Sequence, residues 1–181
     1  MPDIRYPGVY LEEHADVPPR IEGAQTSVAA FIGYTLKGPV NTSVLIHGWP
    51  EYEKNFGGLH TNSHVSYAVY QFFRNGGQDA YVVRVIGTVN EMTPDAKDII
   101  GADDRKTGIY AMRTAAVFNI MAIPQTVALS DEEAWDVIRR AISFCEENRA
   151  MYLVDYNPAC DCDSIEAWVS ELGPQKNAAV F

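Results

Sequence analysis

The stretch Thr26 to Asn41, TSVAAFIGYTLKGPVN, constrains the fold of this chain more than any other. Val28, Ala29, Ala30, Phe31 and Ile32 run on without a polar position that would keep one face wet, so they predict a strand buried on both sides. Gly33 and the Lys37-Gly38-Pro39 group stop the run. A phosphate loop would need Gly-Lys-Ser/Thr after these glycines, and none follows, so they read as turn residues.

At 181 residues the chain can form one large domain or two small ones, with ample core for independent stability. Its charge is uneven: residues 1 to 90 carry a net −2 and residues 91 to 181 a net −8. Phosphate binding needs a basic face, which makes nucleic acid a poor partner and a basic protein surface a better one. No apolar run approaches the ~20 residues that cross a bilayer, and no charged-then-apolar signal opens the sequence, so no membrane insertion is expected. Cys145, Cys160 and Cys162 are an odd, late cluster rather than a disulfide framework, which points to a reducing cytoplasm.

Residues 1 to 25 hold Pro2, Pro7, Pro18 and Pro19 and cannot form a useful helix, so they read as an extended arm. Within it Val9, Tyr10 and Leu11, followed by Glu12, have the character of a short strand. That strand could edge the chain's own sheet or be donated to a neighbour's, and the residues alone leave both open. Residues 26 to 87 then read as a β-β-α-α-β unit. Its parts are the central strand, a strand over Ser43 to His47, a helix over Pro50 to Phe56, a helix capped by Asn62 or Ser63 and ended by Gly76 and Gly77, and a strand over Ala80 to Ile86.

Residues 88 to 107, broken by Pro94 and Gly101 and rich in acids, read as a linker or long loop. Residues 108 to 181 alternate. Phe118 to Ile123 is a strand, Ser130 and Glu133 box a helix through Glu147, and Met151 to Val154 is a strand. Ser164 to Leu172 is a helix, and Ala178 to Phe181 begins another strand. Alternation of this kind predicts a parallel sheet. Ala134, Trp135, Ile138, Ala141, Ile142 and Cys145 define the buried face of the boxed helix. Its Glu132, Glu133, Asp136, Glu146 and Glu147 form a solvated face within reach of Arg139 and Arg140.

Four features invite a chemical reading. Asp155 ends a parallel strand, where α/β enzymes place catalytic acids, but no histidine follows His64 and no Gly-x-Ser-x-Gly elbow exists. Capping the next turn suits Asp155 better. The histidines His14, His47, His60 and His64 suit surface or turn positions better than a metal site. Cys160-Asp161-Cys162 lacks the other half of a zinc site, and the acids of Asp103 to Gly108 lack calcium-loop spacing. No catalytic residue, metal or cofactor is assigned. A small α/β hydrolase with its site near Pro124 and Asp155, and an acidic interaction adaptor, are the alternatives to a structural role.

The ordered set of segments resembles the N-terminal part of contractile tail sheath proteins of phage tails, R-type tailocins and extracellular injection systems. It runs from Pro7-Gly-Val-Tyr with Glu12 and Glu13, through the central strand, Gly38-Pro-Val-Asn41 and a Trp49-led segment ending Phe56-Gly-Gly58, to FFRNGGQDAYVVRV. FNIMAIP, FCEENRAMYLVD and NAAVF follow in the order that family shows. The resemblance implies an α/β fold: an α+β N-terminal unit over 26 to 87 and, over 108 to 181, the start of a subtilisin-like parallel-sheet domain. It implies a structural subunit, assembled in a bacterial cytoplasm as stacked hexameric rings around an inner tube. Contraction on a baseplate signal then drives the tube through a target envelope. Neighbouring subunits, the inner tail tube protein, and baseplate and terminator proteins are the partners implied, with Val9, Tyr10, Leu11 and Glu12 as an inter-subunit arm. Family members continue beyond this point, so residues 1 to 181 are expected to be an incomplete subunit that needs other protein to be stable.

Overall fold

A computed structural model describes residues 27–155 and 162–180. The expected central strand is β1, Ala29–Gly33, and every residue in it is buried. Its two faces feed different cores. Ala29 and Phe31 join one cluster, and Ala30 and Ile32 the other, which is why no polar residue interrupts the run.

The chain then forms β2 (Ser43–Ile46), α1 (Trp49–Phe56), α2 (His64–Arg74) and β3 (Ala80–Arg84), the expected β-β-α-α-β order. Pro50 sits in the first turn of α1, where its missing N–H costs nothing, and Gly57 closes the helix in the left-handed region. Ser63 caps α2: its hydroxyl accepts from the Ser66 N–H and donates to the Tyr34 carbonyl, tying the helix start to the end of β1. Tyr52, Phe56, Val65 and Val69 of these helices pack on Phe31 and Val82.

After β3 come α3 (Ala96–Ile100), a 3-10 turn over Gly108–Thr114, β4 (Ile120–Ala122), a second 3-10 turn over Pro124–Ala128 and α4 (Asp131–Asn148). They are followed by β5 (Met151–Val154), α5 (Cys162–Leu172) and β6 (Ala178–Val180). At the start of α4 both the N–H and the hydroxyl of Ser130 donate to Glu133, the expected capping box. The buried face of α4 holds Ile138, Ala141, Ile142 and Cys145 as expected and adds Val137 and Phe144. Trp135 is only half-buried and stacks on Trp168 of α5.

Among the described residues all six strands form one sheet in the order β2-β3-β1-β4-β5-β6. β3, β1, β4, β5 and β6 run parallel, and β2 is antiparallel at one edge. This corrects the expected division into two units separated by a linker. β1 pairs with β3 on one side and β4 on the other, so strands from both sides of residues 88 to 107 lie in one sheet. The stretch read as linker contains α3, whose Ala96 and Ile99 are buried in the same cluster as Ile32, Val83 and Ile138. The physical cause is β1 itself, whose five buried residues need a paired strand on each edge.

Candidate functional site

In open α/β sheets ligands bind beyond the carboxyl ends of the strands, where the strand order reverses. Here that point lies at β1, because the chain goes first to β3 on one side and later to β4 on the other. Phe31 aligns with Ala122 and Ala122 with Leu153, which brings Gly33, Pro124 and Asp155 level at the ends of three adjacent strands. Above them stand the start of α2 and the 3-10 turn after Pro124.

Gly33 adopts φ 151°, and a Cβ there would come within 2.8 Å of the Val65 side chain, so glycine is what lets α2 sit directly on the strand end. Gln125 is 4% exposed, and its Oε1 has no hydrogen-bond partner among the described residues. Thr126 donates to the Ile123 carbonyl. The Tyr152 hydroxyl faces Thr126 without closing a hydrogen bond, and burial raises its pKa. Tyr52 stands likewise toward Ser63, its pKa also raised by burial.

Asp155 is partly buried, which pushes its carboxyl above the ordinary range, and the charge of His64 acts in the opposite direction. The fold thus brings together a histidine and an acid that stand far apart in the sequence. No hydrogen bond or ion pair joins the two among the described residues. The nearby serine hydroxyls are engaged as well: that of Ser63 donates to the Tyr34 carbonyl at 2.6 Å and that of Ser66 to the Ser63 carbonyl at 2.7 Å, both buried. The crevice has the position of an enzyme site, and among the described residues it holds no nucleophile-base contact of the kind acyl transfer requires.

The remaining candidates fall elsewhere. His47, after β2, bonds Asp79 at 2.6 Å, and His60 accepts from the Asn62 N–H within a turn. His14 lies outside the described residues, as do Cys160 and Asp161. Among the described residues no group of three or more His, Cys, Asp or Glu is placed to hold a metal ion. Cys145 is buried with its Sγ 3.8 Å from the Met121 sulfur, and burial pushes its thiol up to about 12. Asp103 pairs with Arg113, which also reaches Glu147 of α4. Arg139 reaches Glu171 of α5 at 3.9 Å and stands over the Trp135 ring, while Arg140 stands over Tyr110. Val9, Tyr10, Leu11 and Glu12 lie outside the described residues.

No protein-family profile and no curated relative matches the sequence. Solved structures do match. The helical sheath of the anti-feeding prophage in its contracted state is 19% identical, with a TM-score of 0.60 over 96% of this chain. The PVC sheath complex of an extracellular contractile injection system, also contracted, is 16% identical, with a TM-score of 0.61 over 98% of this chain. This chain spans 44% and 43% of the length of those two proteins. Its fold is that of part of these contractile sheath chains.

Proposed function

We propose that this chain is a structural subunit of a contractile tail sheath and works by packing against other copies of itself rather than by catalysis. One observation carries the reading: nearly the whole chain aligns with two sheath chains from contractile particles. The ordered segments from Pro7-Gly-Val-Tyr to Asn177-Ala-Ala-Val-Phe181 support it independently. In this role the subunits stack as rings around an inner tube, with baseplate and terminator proteins at the two ends. Val9 to Glu12 serve as a linking arm. Contraction replaces one set of subunit contacts with another, so the stored energy resides in interfaces and each subunit moves as a rigid body.

The strand-end crevice favours this reading over the hydrolase alternative, because its serines are engaged in backbone hydrogen bonds and its acid and histidine do not touch. Negative-stain electron microscopy of the purified protein, alone and mixed with the tube protein produced alongside it, is the test. Rings or short stacks of rings are the expected result, rather than long tubes, because the chain spans less than half the length of the sheath chains it matches. Dispersed monomers under both conditions, with ester or peptide hydrolysis that Asp155→Asn abolishes, would replace the sheath reading with the enzyme one.

A further inference from the structure

β2 is held along one edge only. It is four residues long, lies at one end of the sheet, and among the described residues pairs as a strand with β3 alone. Ile46 is buried in the cluster that α1 and α2 complete, whereas Leu45 is exposed. A short edge strand of this kind opens more readily than the centre of a sheet. Beyond the ladder, side chains fasten it at both ends. At one, the hydroxyls of Ser43 and Thr114 share a hydrogen bond at 2.8 Å. At the other, His47, the residue after the strand, brings its Nδ1 to 2.6 Å from Asp79 Oδ1.

The register explains the second fastening. Ile46 faces Ala80, so His47 and Asp79 are the next pair along the same antiparallel ladder. Asp79 is the fixed side: its carbonyl accepts from the Ala29 N–H at the start of β1, and its carboxylate is largely covered. His47 is exposed, so water supplies and takes its proton. Glu51 of α1 accepts from the His47 N–H at 2.9 Å, which puts a second carboxylate close by. The other charged groups on the elements packed here are Glu53 and Lys54 of α1 and Arg74 at the end of α2, which stands over the Tyr70 ring beside Trp49. Among the described residues no hydrogen bond or ion pair joins these three to His47 or Asp79.

A hydrogen bond from an imidazolium to a carboxylate is roughly twice as strong as one between neutral groups. Of the two fastenings only His47 with Asp79 changes charge near neutral pH. We infer that His47 and Asp79 form a proton-operated fastening of the edge strand: with the imidazole charged β2 is held shut against β3, and with it neutral that end of the strand opens more often. The hydrogen bond to Asp79 holds the His47 pKa above its ordinary value, with desolvation opposing the rise and the charges of Asp79 and Glu51 adding to it. The fastening is therefore complete below about 6.5, the ordinary histidine value, and is lost as pH rises through the higher value of the closed strand. Opening of β2 uncovers the outer edge of β3, Ala80–Arg84, a row of backbone donors and acceptors to which another strand can add. The sheath role is not needed for any of these steps.

Hydrogen exchange on the whole chain tests the switch, read by NMR as protection factors at about pH 5.5 and about pH 8, each rate divided by the intrinsic rate at its own pH. Amides paired between β2 and β3 should be about two- to fivefold more protected at the lower pH, the range an exposed charge pair supports. Asp79→Asn and His47→Gln should each abolish that difference. Ser43→Ala, which removes the fastening that does not titrate, should lower β2 protection at both pH values and keep the difference. The His47 ring signals should titrate above about 6.5 in the parent and fall back toward it in Asp79→Asn. Equal protection at both pH values in the parent, or a difference that survives Asp79→Asn, would overturn the switch. So would β2 amides as protected as those of β1, since the strand would then open only with the whole fold.

Discussion

Replacing Phe31 tests whether β1 is the element on which both halves of the chain are built. Phe31 is buried on the α1 and α2 side, and its ring meets that of Phe72 edge to face at 5.6 Å and 67°. Truncation to alanine removes most of an aromatic side chain from a site packed by Val82, Val65 and Phe56, for an expected loss of roughly 3–5 kcal/mol. For a chain of this length that corresponds to a fall in Tm of about 6–20 °C. Phe31→Asp adds an unpaired buried charge and should leave no cooperative transition. The sharper measurement is a double-mutant cycle of Phe31→Leu and Phe72→Leu by urea denaturation. Edge-to-face pairs contribute about 0.5–1.5 kcal/mol beyond the area they bury, so a coupling near 1 kcal/mol is expected. A coupling below ~0.3 kcal/mol, within the error of such cycles, or a Phe31→Ala variant melting with the parent, would refute the placement of α2 on β1.

Three further outcomes follow from the charges. The hydrogen bond from Asp79 raises the pKa of His47, so the stability this pair contributes is fully present below about 6.5 and is lost as pH rises through the higher folded value. Urea midpoints between pH 5.5 and 8 should show that decline in the parent and lose it in Asp79→Asn. Burial raises the pKa of Asp155, so the fold favours its protonated form and loses stability as pH climbs past the usual carboxylate range. Asp155→Asn should accordingly melt at or above the parent at pH 7, match it near pH 3, and leave hydrolase screens unchanged; a lower Tm at pH 7 would show that the carboxylate is held by a favourable partner. Arg113→Ala breaks the link between Asp103 and Glu147 and uncovers Tyr110 and Phe144, for an expected loss of about 1–2 kcal/mol by urea denaturation. Unchanged midpoints would mean the network adds nothing.

The elements that were legible in the sequence are those whose cause is local. The five-residue apolar run of β1, the Ser130 and Glu133 box of α4, Ser63 before α2 and Gly57 after α1 each act within a turn or two of where they stand. Sheet order is not local. Nothing between Thr88 and Thr107 announces that β4 will return to the open edge of β1, so the stretch looked like a boundary. The meeting of His64 with Asp155 follows from that same order and was hidden for the same reason. Val137 and Phe144 were missed because α4 is covered by more than the sheet: α3 and the Gly108–Thr114 turn close over its flank, and Phe144 packs against Tyr110 and Phe118. Arg139 and Arg140 were expected to pair with acids along their own helix, but the Trp135 ring of that helix, the Tyr110 ring of the Gly108–Thr114 turn and Glu171 of α5 are what they meet.

A part that moves as a rigid body between two packings needs an interior much harder to open than its contacts with neighbours. Here the interior meets that need through β1, which is buried on both faces and paired on both edges, with Ser63, Asn119 and Arg84 tying loops to it or to the strands beside it. Asn119 shows how: its side chain accepts from the Val28 N–H and its carbonyl from the Met151 N–H, so one residue ties the levels of β1 and β5 together. Exposed ion pairs such as Arg139 with Glu171, 3.9 Å apart, are of the other kind. Exposed pairs of this sort contribute about 0–1 kcal/mol each and are screened by salt, so any single one can break without disturbing the fold. On the proposed sheath role, a ring built on many contacts of that strength would be strong only through repetition. Exchanging one set for another then requires no unfolding of the subunit.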